Sequence, residues 1–496
     1  TMLPLVTKAQ IKFDLWLLAP LLAAFSLHLF RLDSAPLWFD ETLTASWIAA
    51  SWNEMLGVVL TDNHLPLYFV LLKAWTSVAG DSVYALRFFN VPFSCATVLI
   101  IAFIATTLSG RTAGRWAAWL AAISPYLLHH AQEARMYSLL GFLAAVNVWL
   151  VARFVCGKAK KLEIGFLMVN TAMLATHYYA IFLIAVEGLI LLFLERKRLR
   201  AWLPALLASG VLFIMLVLAA RYLATPHAGG DYEGMKLIGL PGMVWGMLTG
   251  YSLMPSSSDF HDQGLGAILP YLPVAAAALV ALLAICWAAV QSLPKPAWIL
   301  LLGALAGTLV PPLAMSFLFD IGINPRYAMT SVASFIVLLA AGLSRLVHKP
   351  LGWVCAVGLL GLLSFASFLH LRDPGHGRED TVSASKWLDQ NVPIDEFILI
   401  TSSEFSVLTN FYWSNRRFAS YPVSTVVVSK ANVDAIADAF PFSGKPRAIF
   451  MVSREWLSDP QDLLIPALQK RYGDCGGTTL IGIRILCLLP PPSTGN

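Results

Sequence analysis

Apolar stretches of bilayer-spanning length recur from residue 14 to residue 371 of this chain, and no other feature restricts its fold as much. A helix needs about 20 mostly apolar residues to cross the hydrocarbon layer. Eleven runs are read as spans: 14–31, 84–108, 115–129, 135–154, 163–176, 178–194, 201–223, 266–291, 297–319, 327–345 and 351–371, with 115–129 and 163–176 short. Charged residues make up only 13% of the chain, against about 25% in a soluble domain, which excludes a soluble globular enzyme. The net charge of +5 does not point to nucleic acid, because most basic residues lie between apolar runs rather than on one water-facing patch.

Charge placement sets the expected topology. Lys8 and Lys12 precede the first run and no small-residue cleavage site follows it, so it reads as an uncleaved helix starting inside. The segment 65–80 begins with Leu65-Pro66 and carries Lys73, and the segment 42–60 sets Trp47 and Trp52 beside Asn53 and Glu54. Both are expected in one large first outer loop, the second as an interfacial helix. Eleven spans then leave 15 basic residues inside and 7 outside, as the positive-inside rule requires. Letting 65–80 span would turn the basic loops at 153–161 and 195–200 outward.

Composition changes after Arg372, where Asp373, Arg378, Glu379 and Asp380 open a polar tail. Residues 1–371 are therefore expected to form a transmembrane domain and 372–496 a small α/β domain outside. Its strands are expected at Phe397–Ile400, Thr425–Val428 and Ala448–Val452, and its helices at Ser383–Gln390 and Asp459–Arg471. Cys95, Cys286 and Cys355 lie in apolar runs as small hydrophobes, and only Cys475 and Cys487 are placed to pair.

An ionisable residue kept within or beside a membrane is a candidate for function. Four segments concentrate such residues, all on the expected outer side: Leu37-Trp38-Phe39-Asp40-Glu41-Thr42, Asp62-Asn63-His64-Leu65-Pro66-Leu67-Tyr68, His129-His130-Ala131-Gln132-Glu133-Ala134-Arg135-Met136-Tyr137, and Asn324-Pro325-Arg326-Tyr327. Together with the C-terminal soluble domain, this order resembles the GT-C integral-membrane glycosyltransferases. It looks most like the bacterial branch holding the protein O-mannosyltransferases and the lipid A aminoarabinose transferase. The resemblance covers essentially the whole membrane domain. It implies transfer of a sugar from a polyprenyl-phosphate carrier to a lipid, glycan or protein acceptor at the outer side of the cytoplasmic membrane.

Chemistry assigns the roles this resemblance implies. In an inverting displacement an acceptor hydroxyl attacks the anomeric carbon while lipid phosphate leaves, so the site needs a carboxylate to take the proton and cations to hold the phosphate. Asp40 matches the family's catalytic aspartate and is expected to be the base; the competing reading is a helix N-cap. Arg135 and Arg326 are the expected phosphate ligands, against snorkelling to the interface. Glu41, Asp62, His64, Glu133, Tyr137 and Tyr327 are expected to bind substrate, with Glu133 taking a nearby cation and the tyrosines competing with an aromatic-belt reading. His64 and His177 are the candidate ligands of a divalent metal, which needs three or four converging groups. Glu187, mid-span, reads as a buried hydrogen-bonded carboxyl rather than a site residue, and His129-His130 and Arg416-Arg417 as surface features. A polyprenyl-linked polymerase or ligase is the nearest enzyme rival. A secondary transporter fits less well, since its binding groups belong near mid-membrane in repeated halves.

Overall fold

The structure, a computed structural model, describes residues 15–491 apart from 63, 157–161, 224–232, 257–258, 261–262, 320–323, 374, 402–404, 423–425, 443–444 and 455–457. Lys8, Lys12, Lys158, Lys160 and Lys161 of the topology count lie outside the described residues.

Among the described residues seven helices are long and apolar enough to cross a membrane: Val83–Ser109, Tyr137–Val155, Trp202–Ala219, Gly264–Ser292, Lys295–Leu318, Pro325–Leu346 and Gly352–Arg372. Of the other expected spans, 14–31, 163–176 and 178–194 appear as the shorter apolar helices Leu15–Leu29, Glu163–Leu174 and Ala180–Leu194. The run 115–129 is not one helix. Ser124 accepts a hydrogen bond from the Leu127 amide and Pro125 begins a new helix, so the chain breaks into Arg111–Ala122 and Pro125–Ala131, as a proline at a first helical position does. Packing ranks these helices: 89% of the apolar window in Pro325–Leu346 is buried but only 17% of that in Gly264–Ser292, so the first lies at the centre and the second at the edge. Gly342 sits there because a Cβ would lie 2.0 Å from the Ile285 carbonyl oxygen, and only glycine lets the two helices approach so closely.

Among the described residues, no helix between Leu29 and Val83 is long enough to span. Phe39–Ala49, Trp52–Thr61 and Pro66–Ala79 are three short helices. Ser51 and Glu54 form a reciprocal cap at the second, and Lys73 of the third donates to the carbonyls of Ile48 and Ala50 at the end of the first.

Beyond Arg372 a five-stranded sheet forms in the order β2-β1-β3-β5-β4, with β1 (Phe397–Ile400), β2 (Arg417–Ser420), β3 (Ala448–Val452), β4 (Gly473–Leu480) and β5 (Ile483–Leu489). Strand β1 pairs in parallel with β2 and β3, and β5 pairs antiparallel to β3 and β4. Cys475 and Cys487 are bridged across the antiparallel edge. The expected helices appear as Thr381–Asn391 and Leu464–Arg471. The expected strand at 425–428 does not form: Thr425 lies outside the described residues, and the buried Val428 gives its amide to the Ser458 carbonyl. One core of this domain includes Phe39 beside Leu388, Phe405 and Ile483, and the Tyr412 hydroxyl donates to the Leu37 carbonyl at 2.7 Å. The sheet domain is thereby built onto the helix that carries Asp40.

Candidate active site

The helix Phe39–Ala49 starts with Trp38 as its cap, so Asp40 lies in the first turn and is not the N-cap. Its side chain is free to leave the helix. It meets Arg326, whose terminal nitrogen stands 2.5 Å from Asp40 Oδ2. Arg326 is aimed by its own segment: Asn324 accepts from the Arg326 amide at 3.1 Å, Tyr126 donates to the Pro325 carbonyl, and the guanidinium lies over the Tyr137 and Tyr327 rings at 5.7 and 5.9 Å. Tyr327 stacks on Tyr179.

Arg135 approaches Asp40 from another segment. One of its nitrogens donates to the Asp40 carbonyl and the Thr44 hydroxyl at 3.2 and 3.1 Å, and the other to His64 Nε2 at 2.7 Å. The acceptor role of Nε2 puts the His64 proton on Nδ1, 3.0 Å from Asp62 Oδ2. The four motif segments thus converge on one site. Burial alone would raise the Asp40 carboxyl, but Arg326, Arg135 and Arg454 outweigh it and hold the group below the usual carboxylate range.

Glu41 faces a different environment. It is fully buried, bonded by both oxygens to Arg87 at 2.9 and 2.7 Å, and accepts from the Ala134 amide at 2.8 Å. Arg87 also donates to the carbonyls of Leu32, Ala35 and Pro36. Burial opposes the Glu41 charge, and Arg87 more than compensates, so its carboxyl too lies below the ordinary range. The expected substrate-binding role of Glu41 has no free oxygen to serve it. Its geometry is that of a clamp between the first loop and the segment 132–136.

That segment is non-helical backbone buried in protein, which needs partners for every polar group. Gln132 donates to the carbonyls of Leu27, His28 and Phe30, Asn90 donates to those of Glu133 and Arg135, and Ser138 donates to that of His130. Glu133 accepts a hydrogen bond from His130 Nδ1 at 2.9 Å; burial favours the neutral form of that ring, so Glu133 is held by an imidazole hydrogen bond and not by its own motif's arginine.

Several expectations change here. His130 is buried and not a surface feature, and so is Arg416, which bonds Asp389 and the Val392 carbonyl. His64 and His177 are not in the one group of three potential metal ligands among the described residues, which is His129, His130 and Glu133, with ligand atoms within 4.8 Å. Burial, with the charges of Arg326 and Arg135, pushes His177 down to about 3; its neutral ring lies against Tyr137 and Tyr327. The His129 group has the donor types of a zinc site, but Arg326 and Arg378 line the same cleft and favour an anion there. Glu187 is buried as expected, but the expected hydrogen bonds are absent: neither of its oxygens has a partner among the described residues. Sequence reasoning missed Arg87 and Arg378; Arg87 was discoverable as a charge inside an apolar run.

No family model matches this sequence, and no curated protein is significantly similar to it. Solved structures are. ArnT from Cupriavidus metallidurans bound to undecaprenyl phosphate superposes with a TM-score of 0.50 at 12% identity, covering 95% of this chain and 98% of that one. The Archaeoglobus fulgidus oligosaccharyltransferase in complex with Zn and sulfate gives 0.52 at 13%, covering 95% and 72%. The oligosaccharyltransferase AglB from the same organism, in complex with an inhibitory peptide and a dolichol-phosphate, gives 0.50 at 11%, covering 97% and 75%. At such identities the likeness is one of architecture: this chain has the fold of the GT-C membrane glycosyltransferases.

Proposed function

We propose that the protein transfers a sugar from a polyprenyl-phosphate carrier to a cell-envelope acceptor, with inversion and with Asp40 as the general base. The observation that carries this reading is the Asp40–Arg326 pair, held where the four motif segments meet, in a fold shared with a protein solved with undecaprenyl phosphate. An acceptor hydroxyl beside Asp40 attacks the anomeric carbon; the carbon–oxygen bond to the carrier breaks, its electron pair goes to the phosphate, and Asp40 takes the proton. Arg326 and Arg135 stabilise the charge left on the phosphate. With Arg326 against it, the resting carboxylate is a weak base, and a phosphate that draws Arg326 away makes it a stronger one. Binding of donor and activation of acceptor are coupled through one guanidinium.

Asp62 and His64 hold Arg135 in place, and Tyr137 and Tyr327 hold Arg326. A divalent ion, where one is taken, would use His129, His130 and Glu133; no step above depends on it. The outer side is favoured by the bias of basic residues to the other loops and by the Cys475–Cys487 bridge, which persists in an oxidising compartment.

The test is turnover by the full-length protein with a panel of undecaprenyl-phosphate sugars and envelope acceptors. Asp40→Asn lowers the rate about 10²- to 10⁴-fold while the folded protein is retained. Undiminished turnover by folded Asp40→Asn protein would remove the base assignment.

A further inference from the structure

The segment joining the last membrane helix to the sheet domain crosses the same cleft. Gly377, at φ +71 and with Ser256 3.1 Å from where a Cβ would be, makes the turn, and the next residue, Arg378, lines a cleft of about 150 Å³. Its guanidinium lies over the Trp38 ring at 5.6 Å. The nearest carboxylate oxygen, Glu41 Oε2, is 3.7 Å away and already bonded to Arg87. Among the described residues no hydrogen bond is donated by the Arg378 side chain, although it is only 10% exposed. Arg326 lines the same cleft, and its Nε is buried without a partner.

Among the charged residues that line the cleft, Arg326 and Arg378 are positive and Glu133 is negative. A surplus cation in so enclosed a place is costly unless an anion joins it, and two guanidinium groups facing one cavity suit a phosphoryl group's oxygens.

We propose that Arg378 is a phosphate-binding residue, gripping with Arg326 the phosphoryl group of a lipid ligand. The segment leading into the C-terminal domain then completes the substrate site. This rests on the function proposed above. The phosphoryl group comes either from the carrier or from a phosphorylated glycolipid acceptor, and the two are separable.

The experiment compares binding of undecaprenyl phosphate, undecaprenol and a phosphorylated glycolipid to the full-length protein, to Arg378→Gln and to Arg378→Lys. Undecaprenyl phosphate is expected to bind the glutamine variant about ten- to a hundredfold more weakly, with undecaprenol unchanged and lysine restoring part of the loss. The same selective loss seen only with the phosphorylated glycolipid also supports Arg378 and assigns the phosphate to the acceptor. Unchanged affinity for both phosphates, or an equal loss for undecaprenol, overturns the proposal while leaving the transferase reading intact. Wild-type protein that prefers neither phosphate to undecaprenol overturns both.

Discussion

The Glu41–Arg87 pair has every polar atom matched, and around Asp40 several are not. Glu41 has both oxygens bonded and Arg87 has all three nitrogens donating. One residue earlier, turned by about 100° on the helix, Asp40 faces two arginines whose Nε atoms are buried without partners, with unpartnered nitrogens of His129 and His130 farther along the same wall. Buried polar groups are ordinarily satisfied, so the first region is complete without a ligand and the second is not. Two adjacent carboxylates, Glu41 fully buried and Asp40 14% exposed, are thus suited to different work: one fixes the loop, and the other is placed for the proposed chemistry.

The comparison breaks most clearly at Glu41. Glu41→Ala leaves Arg87 buried and unpaired, which costs about 3–5 kcal/mol, and thermal unfolding in detergent should show it as a large loss of folded protein. Glu41→Gln with Arg87→Met should be more stable than Glu41→Gln alone. A Glu41→Ala protein that folds normally but cannot turn over would reverse the assignment.

Acidification gives a smaller effect. Both carboxyls are held below the usual range, so in the native state they stay ionised where the unfolded chain takes up protons. Stability from each is full above about pH 4 and falls as pH drops below it, by up to about 1.4 kcal/mol per pH unit per group. Unfolding followed from pH 6 to pH 3 should show a shallower acid loss for Glu41→Gln than for the wild type. Equal slopes would mean that the Glu41–Arg87 pair does not carry this dependence.

The smallest change belongs to His64, which touches Asp40 only through Arg135. His64→Ala should slow turnover about tenfold or less, as expected for one lost hydrogen bond of about 1 kcal/mol, with stability nearly unchanged. His64→Asn, which keeps an acceptor, should recover part of the rate. A loss as large as that of Asp40→Asn would place His64 in the chemistry itself.

Much of this was legible in the sequence because charge in an apolar chain is conspicuous. Asp40, Arg135 and Arg326 could be singled out one by one, and their segments do meet. What could not be read is who pairs with whom: Asp40 and Arg326 are 286 positions apart, and which of Asp40 and Glu41 faces Arg87 depends on a rotation of a helix whose start had to be known. Arg87 counts in the sequence only as one of the outer basic residues although its place inside an apolar run marks it, and Arg378 stands at the head of a polar tail, where a charge is ordinary. In the sheet, β1 and β3 are apolar and were legible, whereas the edge strands β2, mostly of intermediate burial, and β4, largely exposed, lack the alternation that marks a half-buried strand. Val426–Val428 has strand composition and no ladder.

Phe39 belongs at once to the helix of Asp40 and to the interior of the sheet domain. No catalytic fragment can therefore be cut from this chain at Arg372, because removing the tail would strip the wall against which the first turn of that helix rests. The proposed turnover is then expected to be lost on heating when the C-terminal quarter of the chain melts, however durable the membrane bundle is.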